Sequence, residues 1–171
     1  MKGGVWHRTD LLSRRLTPFL LTLMLLILAL VPFHVPGLSR VTPLLPLIAI
    51  YHWAVYRSEN FPALAVFIIG VVQDILTGVS LGSFTLVFLF VYGLVLSQHR
   101  YLAGKSFLVV WLGFAIAAAG ACLAVWVLTS SGGMGIAEPK AALFQYLLTV
   151  ACYPFVAWLL LRWQRAVLEA A

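Results

Sequence analysis

The sequence predicts an all-helical integral membrane protein with six transmembrane helices and both termini in the cytoplasm. Three observations point there. The 171-residue chain is 63% hydrophobic and only 9% charged, with a mean hydropathy of +1.05, and a water-soluble domain of this size leaves too much surface exposed to hide that much apolar area. The apolar residues gather into six runs separated by short polar or proline-bearing stretches. The basic residues then fall almost entirely on one side of those runs, as the positive-inside rule requires.

Residues 1–16 carry Lys2, Arg8, Arg14 and Arg15 and read as a basic cytoplasmic tail. A Leu-rich run over 17–31 follows. No small-x-small cleavage signal comes after it, so it is expected to be a retained helix rather than a signal peptide; Pro32 and Pro36 then end it. Five further runs cover 43–56, 61–77, 81–97, 106–128 and 139–161, and residues 166–171 form a second short tail. The run at 43–56 gives a helix of about 21 Å at 1.5 Å per residue, short of the roughly 30 Å hydrocarbon core. It is either a span supported by thinned bilayer or protein neighbours, or a re-entrant piece.

Charge decides between these. With six spans and the N-terminus inside, the four N-terminal basics join Arg57, Arg100, Lys105, Arg162 and Arg165 on the cytoplasmic side, leaving Arg40 and Lys140 outside. If the second run does not cross, every later loop changes side and the bias disappears. Six spans are expected, making 17–165 a single membrane domain. Trp53, Tyr56, Tyr101, Trp158 and Trp163 near cytoplasmic ends, with Trp111 and Trp126 on the fifth run, suit interfacial belts. The fifth run also carries a seam of small residues, Gly113, Ala117, Gly120, Ala121 and Ala124, at the spacing that lets helix backbones approach closely in lipid.

The net charge of +6 does not indicate nucleic acid, because the basic residues are scattered between apolar runs. Cys122 and Cys152 lie within apolar runs and are expected to be unbridged packing residues. No CxxC or Cys/His cluster occurs, so neither a metal nor a cofactor is expected.

Two motifs invite chemistry. Gly78-Val79-Ser80-Leu81-Gly82 spells G-x-S-x-G, the pattern of a hydrolase nucleophile elbow. That elbow needs a strand before it and an acid and histidine after it. Here both flanks are helical, and the one downstream histidine, His99, belongs to the opposite side of the membrane. It is expected to be a turn, with no catalytic residue. Asp74 lies within an apolar run, where a carboxylate costs about 2.5–3.5 kcal/mol near a helix centre, and the C-terminal helix end disfavours it further. Gly70, Gln73, Thr77 and Gly78 share its face and form a narrow stripe expected to face protein. The N-terminal N–H groups of the fourth helix, with the hydroxyls of Ser80 and Ser83, are its natural partners; Arg40 and His34 are alternative counter-ions. The reading is a lock on the helix reversal, with partner or ligand contact as the alternative. His52 is expected to be interfacial beside Trp53, Gly93 and Tyr92 to be packing residues, and Arg57 with Glu59 to close a cytoplasmic loop, after which Pro62 starts the third helix.

The block LPLIAIYHWAVYRSENFPALAVFIIGVVQDILTGVSLG resembles the MreD family of rod-shape-determining membrane proteins through Pro46, Trp53, Tyr56, Arg57, Pro62, Gly70, Asp74, Gly78, Leu81 and Gly82. His52 stands where a bulky aromatic is usual in that family, and Ser58 where proline is frequent. The resemblance implies a non-enzymatic protein of the bacterial inner membrane, working in the machinery that builds side-wall peptidoglycan. It implies MreC, a single-span protein with a periplasmic coiled coil, as partner, with links to the actin-like MreB and to the elongation glycan polymerase and transpeptidase. It also implies a likeness in fold to the substrate-binding subunits of energy-coupling vitamin transporters, which makes such a subunit the alternative function. Against that alternative, the first helix lacks the small-xxx-small docking motif such a subunit carries, Ala29 being its only Ala or Gly.

Overall fold

The computed structural model describes residues 4–30, 42–102, 104–131 and 139–168, with side chains from residue 17 to residue 165. The described residues form six α-helices: α1 (Gly4–Leu30), α2 (Leu45–Tyr56), α3 (Ala63–Thr77), α4 (Ser83–Leu102), α5 (Phe107–Ser131) and α6 (Pro139–Leu168). The basic N-terminal stretch is helical from Gly4 onward. Among the described residues, two helices are long and apolar enough to cross a membrane: Phe107–Ser130 has a mean hydropathy of 2.4 and Pro139–Arg165 of 1.7. His34, Arg40, Pro32 and Pro36 lie outside the described residues.

The short second helix is the centre of the bundle. Eleven of its twelve residues, Leu45 through Val55, are buried, and α1, α4, α5 and α6 all pack on it. A helix apolar on every face is one surrounded by protein. Its length of about 18 Å therefore does not have to match the bilayer, because neighbouring helices cover its ends. Irregular backbone at membrane depth needs this kind of protein cover. The approach to α2 is tied to α6: Leu44 N–H donates to Thr149 Oγ1 at 3.1 Å, and Gln145 Nε2 donates to Thr42 O at 3.1 Å.

The other end of α2 is closed differently from expectation. Arg57 caps it, with its N–H on Trp53 O at 2.8 Å. A 3-10 turn at Ser58–Asn60 follows, and the hydroxyl of Tyr92 on α4 donates to the carbonyl of the fully buried Phe61. That turn and bond hold the loop. Tyr92 is thus more than packing. Tyr92→Phe is expected to lower stability by about 1–2 kcal/mol, since it leaves a buried carbonyl unpaired; equilibrium denaturation in detergent measures it.

Two further side chains depart from the sequence reading. His52 is fully buried instead of interfacial, between Trp53 and Tyr56, with ring centroids 5.3 and 4.8 Å away. Trp53 is itself only 2% exposed, so it belongs to the core and not to a belt. Trp158, Trp163 and Tyr101 are exposed, as belt residues are.

The outer surface is as apolar as the core. Leu64 and Phe67 of α3, Phe90 of α4, Ile116 of α5, and Leu143 and Phe155 of α6 are all exposed. A protein in water rarely exposes contiguous apolar area on that scale; lipid is the solvent that fits it. Cys122 and Cys152 are both free thiols.

Candidate functional site

The reversal between α3 and α4 is built from glycines and one acid. Gly78 ends α3 in the left-handed conformation, φ 69°, with its N–H on Asp74 O. Gly82 sits at φ 102° just before α4. A side chain is disfavoured at both, which is the local reason for glycine there. The carbonyl of Gly82 accepts the N–H of Leu86 at 2.8 Å, so Gly82 occupies the N-cap position of α4. A glycine there offers no side chain to the free N–H groups of the first turn.

Asp74 supplies what Gly82 lacks. Its Oδ1 accepts the N–H of Phe84 at 2.7 Å. Its Oδ2 accepts the N–H of Gly82 at 2.9 Å, the N–H of Thr85 at 3.3 Å and the hydroxyl of Thr85 at 2.7 Å. The carboxylate of one helix thereby caps the next, and it is fully buried while doing so. The positive end of the α4 dipole faces its charge. Among the described residues, this satisfies an acid at membrane depth without a cation.

Gly70 makes that geometry reachable. A Cβ added to it would lie 2.5 Å from Thr85 Cα and 3.0 Å from Thr85 Oγ1. The absent side chain lets α3 and α4 touch one turn before Asp74, bringing Thr85 within reach. Thr85 is the residue that sequence reasoning missed. Its signal was its place in the first turn of α4, where a hydroxyl and a free N–H stand together. Ser80 and Ser83, expected on the carboxylate, bond each other instead, at 2.9 Å. Gln73 is buried beside Asp74, and its Oε1 has no partner. Arg57 lies apart, before the start of α3, whose first residue is itself about 16 Å along the helix from Asp74. The G-x-S-x-G stretch is a turn.

The small-residue seam lies elsewhere. Gly113, Ala117, Gly120, Ala121 and Ala124 floor a groove of about 650 Å³ between α4 and α5, walled by Leu86, Phe90, Leu94 and Ile116. Its Gly113 end is closely covered, since a Cβ there would lie 2.8 Å from Tyr51 Oη, and Ala121 is buried. Tyr51 donates that hydroxyl to Val110 O at 3.0 Å. At Gly120 a Cβ would meet nothing within 4 Å. The seam therefore leaves an open channel along the outside of α5, instead of drawing two helices of this chain together along its whole length.

In comparison with known proteins, a family model described as rod shape-determining protein MreD covers residues 10–163. No curated protein matches the chain, and no solved structure does.

Proposed function

The chain belongs to the MreD family of rod shape-determining membrane proteins, and from that membership we propose that it is a non-enzymatic scaffold of the bacterial cell-elongation complex. In this reading it spans the inner membrane six times with both termini cytoplasmic. It binds MreC, and through it supports MreB and the enzymes of side-wall peptidoglycan synthesis. The parallel course of α2 and α6 supports the six-span arrangement. Leu44 meets Thr149 near their beginnings, and His52 meets Gln164 near their ends; helices that are even-numbered in a six-span chain run the same way.

The observation that carries the scaffold reading is the open groove on α4 and α5. A single membrane-spanning helix is held in lipid by close backbone approach over small residues. A floor of glycine and alanine between walls of Phe90 and Ile116 has that shape. Apart from Gln98 and the Tyr51 hydroxyl its lining is apolar, which suits a helix rather than a polar small molecule.

The test is co-purification of the detergent-solubilised chain with MreC. A Cβ added at Gly120 meets nothing within 4 Å, so Gly120→Leu projects into the groove from an open position; the fold and its melting temperature are expected to be retained while MreC capture falls by tenfold or more, about 1.4 kcal/mol of binding free energy. Capture at the wild-type level by a folded Gly120→Leu protein would move the docking surface elsewhere. Failure of the wild-type chain to retain MreC would sink the scaffold reading itself.

A further inference from the structure

The groove between α4 and α5 is polar at one end only. Along α4 its wall passes through Leu94 and Phe90 to Leu86, and Leu128 of α5 lines the far end, all apolar. At the near end stand Gln98 and the Tyr51 hydroxyl, and that hydroxyl is already spent on Val110 O. Leu102, the last residue of α4, also lines this end and accepts the N–H of Lys105 at 3.2 Å. The bond sets Lys105 at the mouth of the groove, past Gln98. Tyr101 is 76% exposed beside it.

Gln98, Tyr101 and Lys105 together form a set of donors. Amide NH₂, phenol hydroxyl and ammonium all offer protons, and none of these side chains is hydrogen-bonded or ion-paired to a described residue. Gln98 is exposed about 6 Å before the end of α4, where a side-chain amide facing lipid without a partner is costly. No acid near in sequence answers Lys105, since residues 75–137 contain neither Asp nor Glu. The positive-inside rule accounts for a basic turn. It does not account for an amide that opens to lipid at the head of an apolar groove.

We propose that this groove, when no partner helix lies in it, holds an anionic phospholipid, with its phosphate and ester oxygens on Gln98, Tyr101 and Lys105 and one acyl chain along Leu94, Phe90 and Gly120. Such a lipid is charged at one end and apolar along the rest, as the groove is. From Gln98 to Leu86 the groove runs about 18 Å, slightly more than the roughly 15 Å of one hydrocarbon leaflet. A chain entering at the mouth therefore lies in it over its whole length. The mouth selects an anionic headgroup over a zwitterionic one because it brings a cation and no acid; the ammonium of a zwitterionic lipid is repelled by Lys105. Lipid and docking helix share the groove and exclude each other, so MreC binding displaces the lipid.

Native mass spectrometry of the full chain, released from micelles carrying phosphatidylglycerol or phosphatidylcholine with the same acyl chains, reads the first lipid retained. Phosphatidylglycerol is expected to bind about fivefold more tightly, the effect of one cation at the surface on an anionic lipid. Lys105→Ala should abolish that preference, and Gln98→Leu should lower phosphatidylglycerol retention roughly threefold, as the loss of one hydrogen bond does. Arg100→Ala removes the same charge from the same helix end, at an exposed residue that does not line the groove, and should leave the preference unchanged. Gly120→Leu obstructs the path of the chain and should lower retention of both lipids. Equal binding of the two lipids by the parent overturns the headgroup site. So does a preference that survives Lys105→Ala, or one that Arg100→Ala lowers as much. Unchanged retention in Gln98→Leu or in Gly120→Leu overturns the placement in the groove. Should Lys105→Ala not fold, Lys105→Gln removes the same charge and must lose the preference. The chain is measured alone, so failure of the lipid preference leaves MreC docking standing, and failure to capture MreC leaves the lipid site standing.

Discussion

Asp74→Leu is expected to be the most damaging single change in the described part of the chain, lowering stability by roughly 3–5 kcal/mol. Hydrogen bonds to a charged group contribute about 1.5–3 kcal/mol each, and the four made by Asp74 act as a unit, so their sum is discounted for overlap. Three backbone N–H groups, of Gly82, Phe84 and Thr85, lose their acceptor at once. Gly82 has no side chain to replace it, and lipid offers no water. Asp74→Asn should fall between wild type and Leu. Its amide oxygen can serve the Thr85 side of the site, but its NH₂ then faces the N–H of Phe84, donor against donor. Denaturant titration in detergent micelles gives the order, and restoration of rod shape in cells lacking the protein gives its consequence. If Asn and Leu both abolish rod shape while Asn retains wild-type stability, the charge serves a partner and not the helix cap.

Gly70→Ala is expected to come second, at about 1–3 kcal/mol for overpacking plus part of the Asp74 cap. The new methyl would have to lie 2.5 Å from the Cα of Thr85. That atom is backbone and cannot rotate away, so α3 and α4 must separate. Separation pulls the Thr85 hydroxyl and N–H from Asp74 Oδ2, coupling two effects that look independent in sequence. Gly70→Ala and Asp74→Leu together should therefore cost clearly less than the sum of the two; additive losses would show that Gly70 acts apart from the cap. Gly93→Ala is the matched control. Gly93 lies in α4, and a Cβ added to it would meet nothing within 4 Å, so the change should stabilise the helix by about 0.5–1 kcal/mol.

Much of this was legible in the residues. Apolar runs long enough to be helices leave little freedom in lipid, because every backbone group must be paired within its own segment. The family showed itself in the block around Trp53, Arg57, Gly70, Asp74 and Gly78. The hairpin lock was legible in outline, since an acid at the C-terminal end of one helix and a glycine-bounded turn into the next leave few partners for the charge. Which hydroxyl would join it was not legible. Ser80 and Ser83 are nearer in sequence, but the contact of α3 with α4 at Gly70 presents Thr85.

Local pattern by itself determined helix number, the reversal at Gly78–Gly82 and the demand for a partner at Asp74, because each follows from the chemistry of a short segment. Tertiary structure alone decided what surrounds each helix. It made α2 the centre of the bundle, which turned His52 and Trp53 from expected interface residues into buried ones. It left the seam on α5 facing an open groove, and it brought the indole N–H of Trp111 to the carbonyl of Val150, which Pro154 leaves without its helical donor. In water, hydrophobicity separates inside from outside; in a membrane protein both are apolar, so sequence periodicity loses that signal and only the packing of helix on helix restores it.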